Sequence, residues 1–523
     1  MDAIQQVIQE LRDSYKKGPA PLSKTTTVNT ATGLVNYDLQ IPSKNAYPVN
    51  TPIRKRIARV AGKGDIATRW KVVSAITGSG YNAMGWVPEG GRSGVMTITA
   101  STKYAGYTTI GEEGNLTFEA WSAAEGFEDE KARQSVRLLQ KMWLKEEVSI
   151  LGGNFSMHLG TPTTPTFASV NTGGGVANGT YHAQVVELTL EGYLNWIASG
   201  ASIVTGVPIS QTITDPTGAT FVLNGGSSQV SAAAASSAIT GSNVGILNAS
   251  VPYANGTVAW AWYIDDGASG AKTLQAVTLI NSYTTSVTPT TTGQNATAAA
   301  SDHSYNDGSI NAGPAAYDGL LYATFASNSG SNSNSYLSGA YVQALPTGTA
   351  GVGTKLTSSG RGTVVEIDAA LLSMWNSYQT SPTVIFVNAQ QLKDITTLCL
   401  NNSSGPLLQY FTSPADGYQK LLAGGNIEFY FNPFTQDGGM KIPIIIHPTL
   451  PAGTILLWCE TLPPQYMDSE IPNVAEVHTR RDYYQIDWPL RTRLYESGVY
   501  SEQTVAVYAP FAMGAITNIA PGT

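Results

Sequence analysis

Charge is what this chain has least of. Lys, Arg, Asp and Glu supply 13% of its 523 residues, where an ordinary globular protein carries about 25%. The balance is acidic, with 29 basic against 37 acidic side chains and a formal net charge of −8. Affinity for nucleic acid built on neutralised phosphates needs the opposite sign, which excludes tight, general DNA binding as the main task. No Lys or Arg lies between Lys145 and Lys272, nor between Lys272 and Lys355. Cysteine is almost as scarce. Cys399 and Cys459 both sit in apolar contexts and read as free buried thiols in a reducing compartment. Two thiols are also too few for a thiolate metal site. Long apolar runs are missing, the longest being short pieces such as Ile444 to Ile446, so no membrane span is expected. The stretch from Met1 to Lys17 carries Asp2, Glu10 and Asp13 and lacks the apolar centre of a signal peptide. A soluble protein made in the cytoplasm is the expectation.

Gly, Ser, Thr, Asn and Ala fill the space that charge leaves, a mixture that favours β-structure with many turns. Ile4, Val7, Ile8, Leu11 and Tyr15 fall at helical spacing and predict a short amphipathic helix ending near Gly18-Pro19. An extended arm of Thr, Pro and Asn follows, too poor in apolar residues to form a core alone. Next comes the densest basic cluster, Arg54, Lys55, Arg56, Arg59 and Lys63. It has three readings: a solvated surface run, a contact with an acidic face of a neighbouring copy, or an interior contact with DNA.

Trp70, Val72, Ser74 and Ile76 alternate with the residues between them, as do Met96, Ile98 and Ala100. With glycines 78, 80, 85, 90, 91 and 94 between the runs, they predict a long β-hairpin with a broad tip. A two-stranded hairpin has no independent stability in water, so this one needs support. From Phe118 to Leu151 the pattern turns helical. Glu128, Asp129 and Glu130 stand near its start, Arg133, Arg137, Lys141 and Lys145 in later turns, with Val136, Leu139, Trp143 and Ile150 as the apolar stripe. Gly152-Gly153 ends it.

Alternation at Tyr181, Ala183 and Val185 and at Val258, Trp260, Trp262 and Ile264, with further runs at Thr220 to Leu223 and Leu274 to Ile280, predicts a β-sandwich over residues 172–300. The remainder reads as α+β. Asp368 is the expected cap of a helix through Ala370, Leu371, Met374 and Trp375, and Asn388 that of a second through Leu392, Ile395 and Leu398. Strand signals resume after Asn426, at Ile444, Ile455 to Leu457, Tyr484 to Ile486 and Val505 to Tyr508.

A search for chemistry finds little. His158, His182, His303, His447 and His478 show no ligand spacing. His447, beside Pro448, reads as structural. Gly62-Lys63-Gly64 lacks the flanking residues of a phosphate loop. Asp265-Asp266-Gly267 reads as a turn, with a calcium pair as the weaker alternative, and Asp302 with Asn306-Asp307-Gly308 likewise. Asp482 and Asp487, an odd number of residues apart on a strand, would face opposite sides and could not share acid–base work. No catalytic, cofactor-binding or metal-binding residue is assigned, and the chain does not read as an enzyme.

One resemblance organises these pieces. Ile471-Pro472-Asn473-Val474-Ala475-Glu476-Val477, then Tyr484-Gln485-Ile486-Asp487-Trp488-Pro489 and Arg493-Leu494-Tyr495-Glu496-Ser497-Gly498-Val499-Tyr500, resemble the closing segment of tailed-bacteriophage major capsid proteins. Ala316-Tyr317-Asp318-Gly319-Leu320 and Val365-Glu366-Ile367-Asp368 are similar, less specific pieces. The resemblance implies an α+β fold shared by tailed-phage capsids and encapsulin nanocompartments. Its parts would be an amino-terminal helix and arm (residues 1–60), an extended hairpin loop (61–112), and a spine helix with the start of the peripheral domain (113–171). An inserted immunoglobulin-like sandwich (172–300) and an axial domain with the rest of the peripheral domain (301–523) would complete it.

It further implies self-assembly through hexamers and pentamers into an icosahedral head in the host bacterial cytoplasm. Packaged double-stranded DNA would be held weakly and without specificity, with no membrane. Separate scaffolding, portal and decoration proteins would be possible partners. The amino terminus is expected to stay in the mature subunit. With no Lys from Val72 to Thr102, the hairpin isopeptide bond of one branch of the family is not expected. The sandwich is expected to project and to tolerate removal. Two other readings stay open: an encapsulin-like shell, and a carbohydrate-binding adhesin or tail-associated protein in which Trp260, Trp262 and Tyr263 stack on sugar.

Overall fold

A computed structural model describes residues 47–62, 64–78, 85–125, 129–241, 243–268, 270–308, 316–327, 337–359, 362–401, 408–412, 419–423, 427–436, 438–466, 470–490 and 492–522. The expected amino-terminal helix and the arm up to residue 46, and Lys63, lie outside them. Residues 48–125 and 129–523 form one compact unit.

The chain enters through turns to β1 (Ala58–Ala61), then rises and returns through β2 (Ala67–Thr77) and β3 (Thr97–Gly106). After β4 (Thr108–Thr117) come α1 (Phe118–Ala124) and the long α2 (Glu130–Gly152). Asp129 starts α2 by accepting from the backbone nitrogens of Lys131 and Ala132, both at 3.1 Å. Gly152 ends it where Leu190 crosses, a Cβ there standing 2.2 Å from the Leu190 side chain. The buried side of α2 is Leu138, Met142, Glu146, Glu147, Ile150 and Leu151. That corrects the expected stripe, since Val136 is exposed.

The middle of the chain holds β5 (Thr166–Val170), β6 (His182–Leu188), α3 (Leu190–Ala198), β7 (Ser210–Thr214), β8 (Thr220–Asn224), β9 (Ala234–Ala235), β10 (Ile246–Ser250), β11 (Ala259–Ile264), β12 (Thr273–Thr278) and β13 (Ser282–Thr285). Two sheets, ordered β13-β10-β5 and β12-β11-β6-β9, enclose a core of Phe167, Tyr181, Val185, Leu247, Trp260 and Trp262. The β7–β8 hairpin stands apart from both sheets. Alternation on β11 sends Ala259, Ala261 and Tyr263 into a second cluster with Leu188 and Leu274, so the strand is buried on both faces. The first sheet begins at Thr166, ahead of the expected limit of 172.

The carboxyl part contains α4 (Leu320–Ser327), β14 (Tyr341–Ala344), α5 (Val365–Tyr378), β15 (Val384–Val387), α6 (Ala389–Asn401), β16 (Leu408–Thr412), β17 (Gln419–Ala423), β18 (Phe429–Asn432), β19 (Met440–Ile446), β20 (Ile455–Trp458), β21 (Ala475–Asp487), β22 (Leu494–Val507) and β23 (Met513–Thr517). Six strands make a sheet ordered β14-β23-β20-β15-β19-β18, backed by α5 and α6 through Ile367, Leu371 and Ile395. Asn388 caps α6 as expected, accepting from Gln390 N at 3.0 Å. Asp368 does not cap α5. That helix starts three residues earlier with no side-chain cap, and Asp368 accepts the Tyr430 hydroxyl at 2.6 Å instead. A second sheet, β1-β21-β22-β4, lies along α2. The chain is therefore a mixed helix-and-sheet fold in which hairpin, long helix and sheets follow the expected order.

Candidate assembly surface

The root of the hairpin is built around two adjacent glutamates of α2. Glu147 accepts the backbone nitrogens of Ile53 and Arg54 at 2.8 Å each. It also takes Nε2 of His447 at 2.8 Å, while Nδ1 of that ring accepts from Thr449. Nε2 therefore carries the hydrogen. Glu146 takes Arg54 Nε at 2.7 Å, Arg59 Nη1 and the Tyr483 hydroxyl. Both glutamates are fully buried, and a buried carboxylate survives only when paired and hydrogen-bonded. Burial works against the charges of Arg54 and Arg59, yet Glu146 and Tyr483 outweigh it and hold both above the usual guanidinium value. Burial, then Glu146, pushes the Tyr483 phenol up.

Arg59 also reaches Asp482 at 2.8 Å, and Arg56 reaches Glu460 at 3.1 Å. The three arginines of the basic cluster are thus engaged within their own chain. For Arg54 and Arg59, which are half-buried, this corrects the solvated run; Arg56 keeps its ion pair on the exposed surface. Lys55, like Arg56, is exposed. The clamp fixes 51–57 so that β1 can pair in parallel with β21, Ala58 to Ala61 against Glu476 to Thr479.

From that anchored root β2 and β3 leave the body as a two-stranded sheet, hydrogen-bonded to each other and, among the described residues, to no other strand. Trp70 still packs on the body, its ring 5.1 Å from that of Tyr508 and at 80° to it. Beyond it Val73, Ile76, Met96 and Ile98 are more than half exposed, and Trp86 and Val95 stand 88% and 89% exposed. Exposed apolar side chains carried together on one hairpin are the kind of surface that marks a contact with another molecule.

A second exposed apolar group lies at the turn joining β21 to β22. Phe118, Trp121 and Tyr495 pack ring to ring at 5.6 to 6.3 Å, and Lys131 lies 5.9 Å over Tyr495. Trp488 and Leu490 in the same turn are exposed.

The residues weighed for chemistry are dispersed and occupied. Asp482 meets Arg59, and Asp487 meets Lys131 at 3.2 Å. His182 bonds Asp265 at 2.7 Å, His303 bonds Asn224 at 2.8 Å, His478 bonds Tyr508 at 2.6 Å, and His158 stacks on Tyr305 at 3.5 Å. Burial lowers the His478 value despite the Glu476 carboxylate beside it. Asp265 accepts from the nitrogens of His182 and Gly267, the turn expected there, and Asp302 from those of Gly160 and Ser304. Among the described residues no group of three or more metal-ligating side chains converges. Trp260, Trp262 and Tyr263 have no exposed surface, so they cannot stack on a sugar.

The sequence reading missed Glu146 and Glu147. A signal was present: an acidic pair in the second half of a helix opposes the helix dipole and needs compensation from elsewhere.

No family model matches the chain, and no curated protein does. Solved structures do. The capsid of an empty GTA particle is similar over 93% of this chain and 96% of its own, at 8% identity and a TM-score of 0.40. A capsid chain of cyanophage A-1(L) is similar over 94% and 99%, at 12% identity and a TM-score of 0.40. The holo-SrpI encapsulin complex of Synechococcus elongatus PCC 7942 is similar over 93% of both chains, at 8% identity and 0.33. Superpositions this distant leave function to be argued from the chain's own geometry. What the chain is similar to, along most of its length, is a set of phage capsid chains with an encapsulin among them.

Proposed function

We propose that this chain is the major capsid protein of a tailed bacteriophage, a subunit that assembles with copies of itself into an icosahedral head around double-stranded DNA. The observation that carries the reading is the hairpin. A rigidly clamped root presents a long, apolar, two-stranded element that its own body leaves uncovered, as a subunit made to exchange contacts with copies would. The aromatic group at the β21–β22 turn offers a second contact. Sparse charge and an acidic balance suit a wall that encloses DNA without adhering to it. The role is structural, with no catalytic step assigned to any residue.

Expression of the full chain, alone and with the neighbouring genes of its source, followed by negative-stain microscopy tests this. Closed shells are expected, and a chain that stays monomeric under all conditions overturns the proposal. Particles from the native source separate the two kinds of shell. Nuclease-protected double-stranded DNA supports the phage head, and enzyme cargo without DNA supports a nanocompartment.

A further inference from the structure

The two-sheet segment of the chain is joined to the body along a polar seam. The loop before β11 reaches α4: Asn255 Nδ2 donates to the Phe325 carbonyl at 2.7 Å, and the Tyr322 hydroxyl donates to the Gly256 carbonyl at 3.3 Å while accepting Leu190 N at 2.7 Å. Nearer β23, Asn281 N donates to Asn518 Oδ1 at 2.9 Å, and Asn518 Nδ2 donates to the Leu345 carbonyl at 2.7 Å. Both asparagines are buried.

Glu187 lies under this seam. It sits on β6 directly opposite Trp260, on the side of the strand that carries Ala183 and Val185 into the core between the sheets. The residue is 1% exposed, and both carboxylate oxygens lack a hydrogen-bond partner. So do the groups around it: Thr257 Oγ1 and Trp260 Nε1, which act on the carboxyl directly, then the Tyr253 hydroxyl and, beside Tyr253, Thr517 Oγ1 on β23. The Tyr253 and Trp260 rings meet edge to face at 6.2 Å. Ser228, on the other side, is spent on the Glu187 backbone nitrogen. Among the described residues, Tyr253 is the titratable group that feels the Glu187 charge. Beyond it come Tyr322 and Glu191, and no Lys, Arg or His acts on the carboxyl.

A carboxylate with no cation and no committed donor is costly in an apolar core. The neutral acid is not, because its hydroxyl and carbonyl can be met by the hydroxyls and indole nitrogen around it. We propose that Glu187 is a proton-operated latch between the two-sheet segment and the body, its neutral form keeping the seam closed and its ionised form drawing the seam open to water. Burial holds this carboxyl up at about 7, with Thr257 and Trp260 offsetting part of the rise. The closed seam therefore binds the proton more tightly than the open one. Closure is strongest below the ordinary glutamate value, weakens as pH rises towards about 7, and is constant above that.

The test uses the full chain carrying Glu191→Gln, because Glu191 is the other carboxyl burial raises to about 7. Infrared spectroscopy should show a neutral-carboxyl band at about pH 5 that disappears by about pH 8, and Glu187→Gln should remove it. Hydrogen exchange, corrected for intrinsic rates, should show peptides 246–258 and 513–520 opening on the order of tenfold to a hundredfold more often across that range. With Glu187→Gln added, protection should no longer change with pH. Absence of the band at about pH 5, which needs no Glu187 variant to fold, overturns the latch, as does an unchanged pH response in the Gln variant.

Discussion

Substitution of Glu147 should detach the hairpin root, and its cost can be worked from the bonds it makes. The carboxylate accepts two backbone nitrogens and one imidazole, all at 2.8 Å, at a site 1% exposed. Glu147→Gln turns one acceptor oxygen into a donor, so one of the Ile53 and Arg54 nitrogens faces an amide NH2. A single buried donor left unsatisfied costs about 1–3 kcal/mol. Glu147→Ala removes all three acceptor contacts and leaves the Ile53 and Arg54 nitrogens and His447 Nε2 buried without an acceptor. With about 1–3 kcal/mol at stake for each unsatisfied donor, the Ala variant loses more than the Gln variant. Equilibrium denaturation of the unassembled subunit should rank the three proteins wild type, Gln, Ala. Limited proteolysis should open the 51–61 segment in the same order, and shell yield in micrographs should fall with it. An Ala variant within about 0.5 kcal/mol of wild type and assembling normally would show that the clamp does not position the hairpin.

Two further outcomes follow from the same geometry. Trp86→Ser with Val95→Ser removes exposed apolar surface from the hairpin, so subunit stability should stay within about 0.5 kcal/mol of wild type while shells no longer form; normal shells would remove the hairpin from the contact. Against the expectation from sequence that the segment tolerates removal, replacement of residues 172–300 by a Gly/Ser linker strands β5 without β10, takes Asn281 from Asn518 and uncovers Tyr322, so the shortened chain should be insoluble; soluble, shell-forming protein would show that the seam is dispensable.

What could be read from the sequence was what is local in it. The β2–β3 alternation shows because neighbouring residues decide it, and Asn388 shows as a cap because it serves a nitrogen two residues on. The long helix was legible in extent but not in facing. Its buried side holds Glu146 and Glu147, and polarity alone sends a glutamate to the surface. The basic cluster was opaque for the same reason, since Arg54 and Arg59 find Glu146 some ninety residues away and Arg59 finds Asp482 more than four hundred away. Asp368 misled because an acidic residue ahead of an apolar run fits a cap, while its actual partner, Tyr430, comes from a distant strand. The sugar platform failed through burial on both faces of β11, a property of the sheets stacked around it.

The allocation of charge within the subunit has a consequence for assembly. In a chain with few charges, the arginines at the hairpin root are consumed by Glu146, Asp482 and Glu460. Lys131, Arg133 and Lys145 pair with Asp487, Glu130 and Glu112. Beside the exposed Arg69, Lys71, Glu89 and Arg92, what the hairpin offers outward is mainly apolar: Val73, Ile76, Trp86, Val95, Met96 and Ile98. Contacts made by such a surface are apolar burial worth about 25 cal/mol per Å², and that term is not screened by salt but weakens on cooling. Contacts between exposed charges behave the other way, because screening shortens to about 3 Å at 1 M salt. Shells of this protein should therefore persist from about 0.05 to 1 M NaCl and loosen as temperature falls towards freezing. Light scattering of purified particles across both series measures it. Particles that dissolve as salt rises, yet withstand cold, would place the holding contacts among charged groups and away from the hairpin.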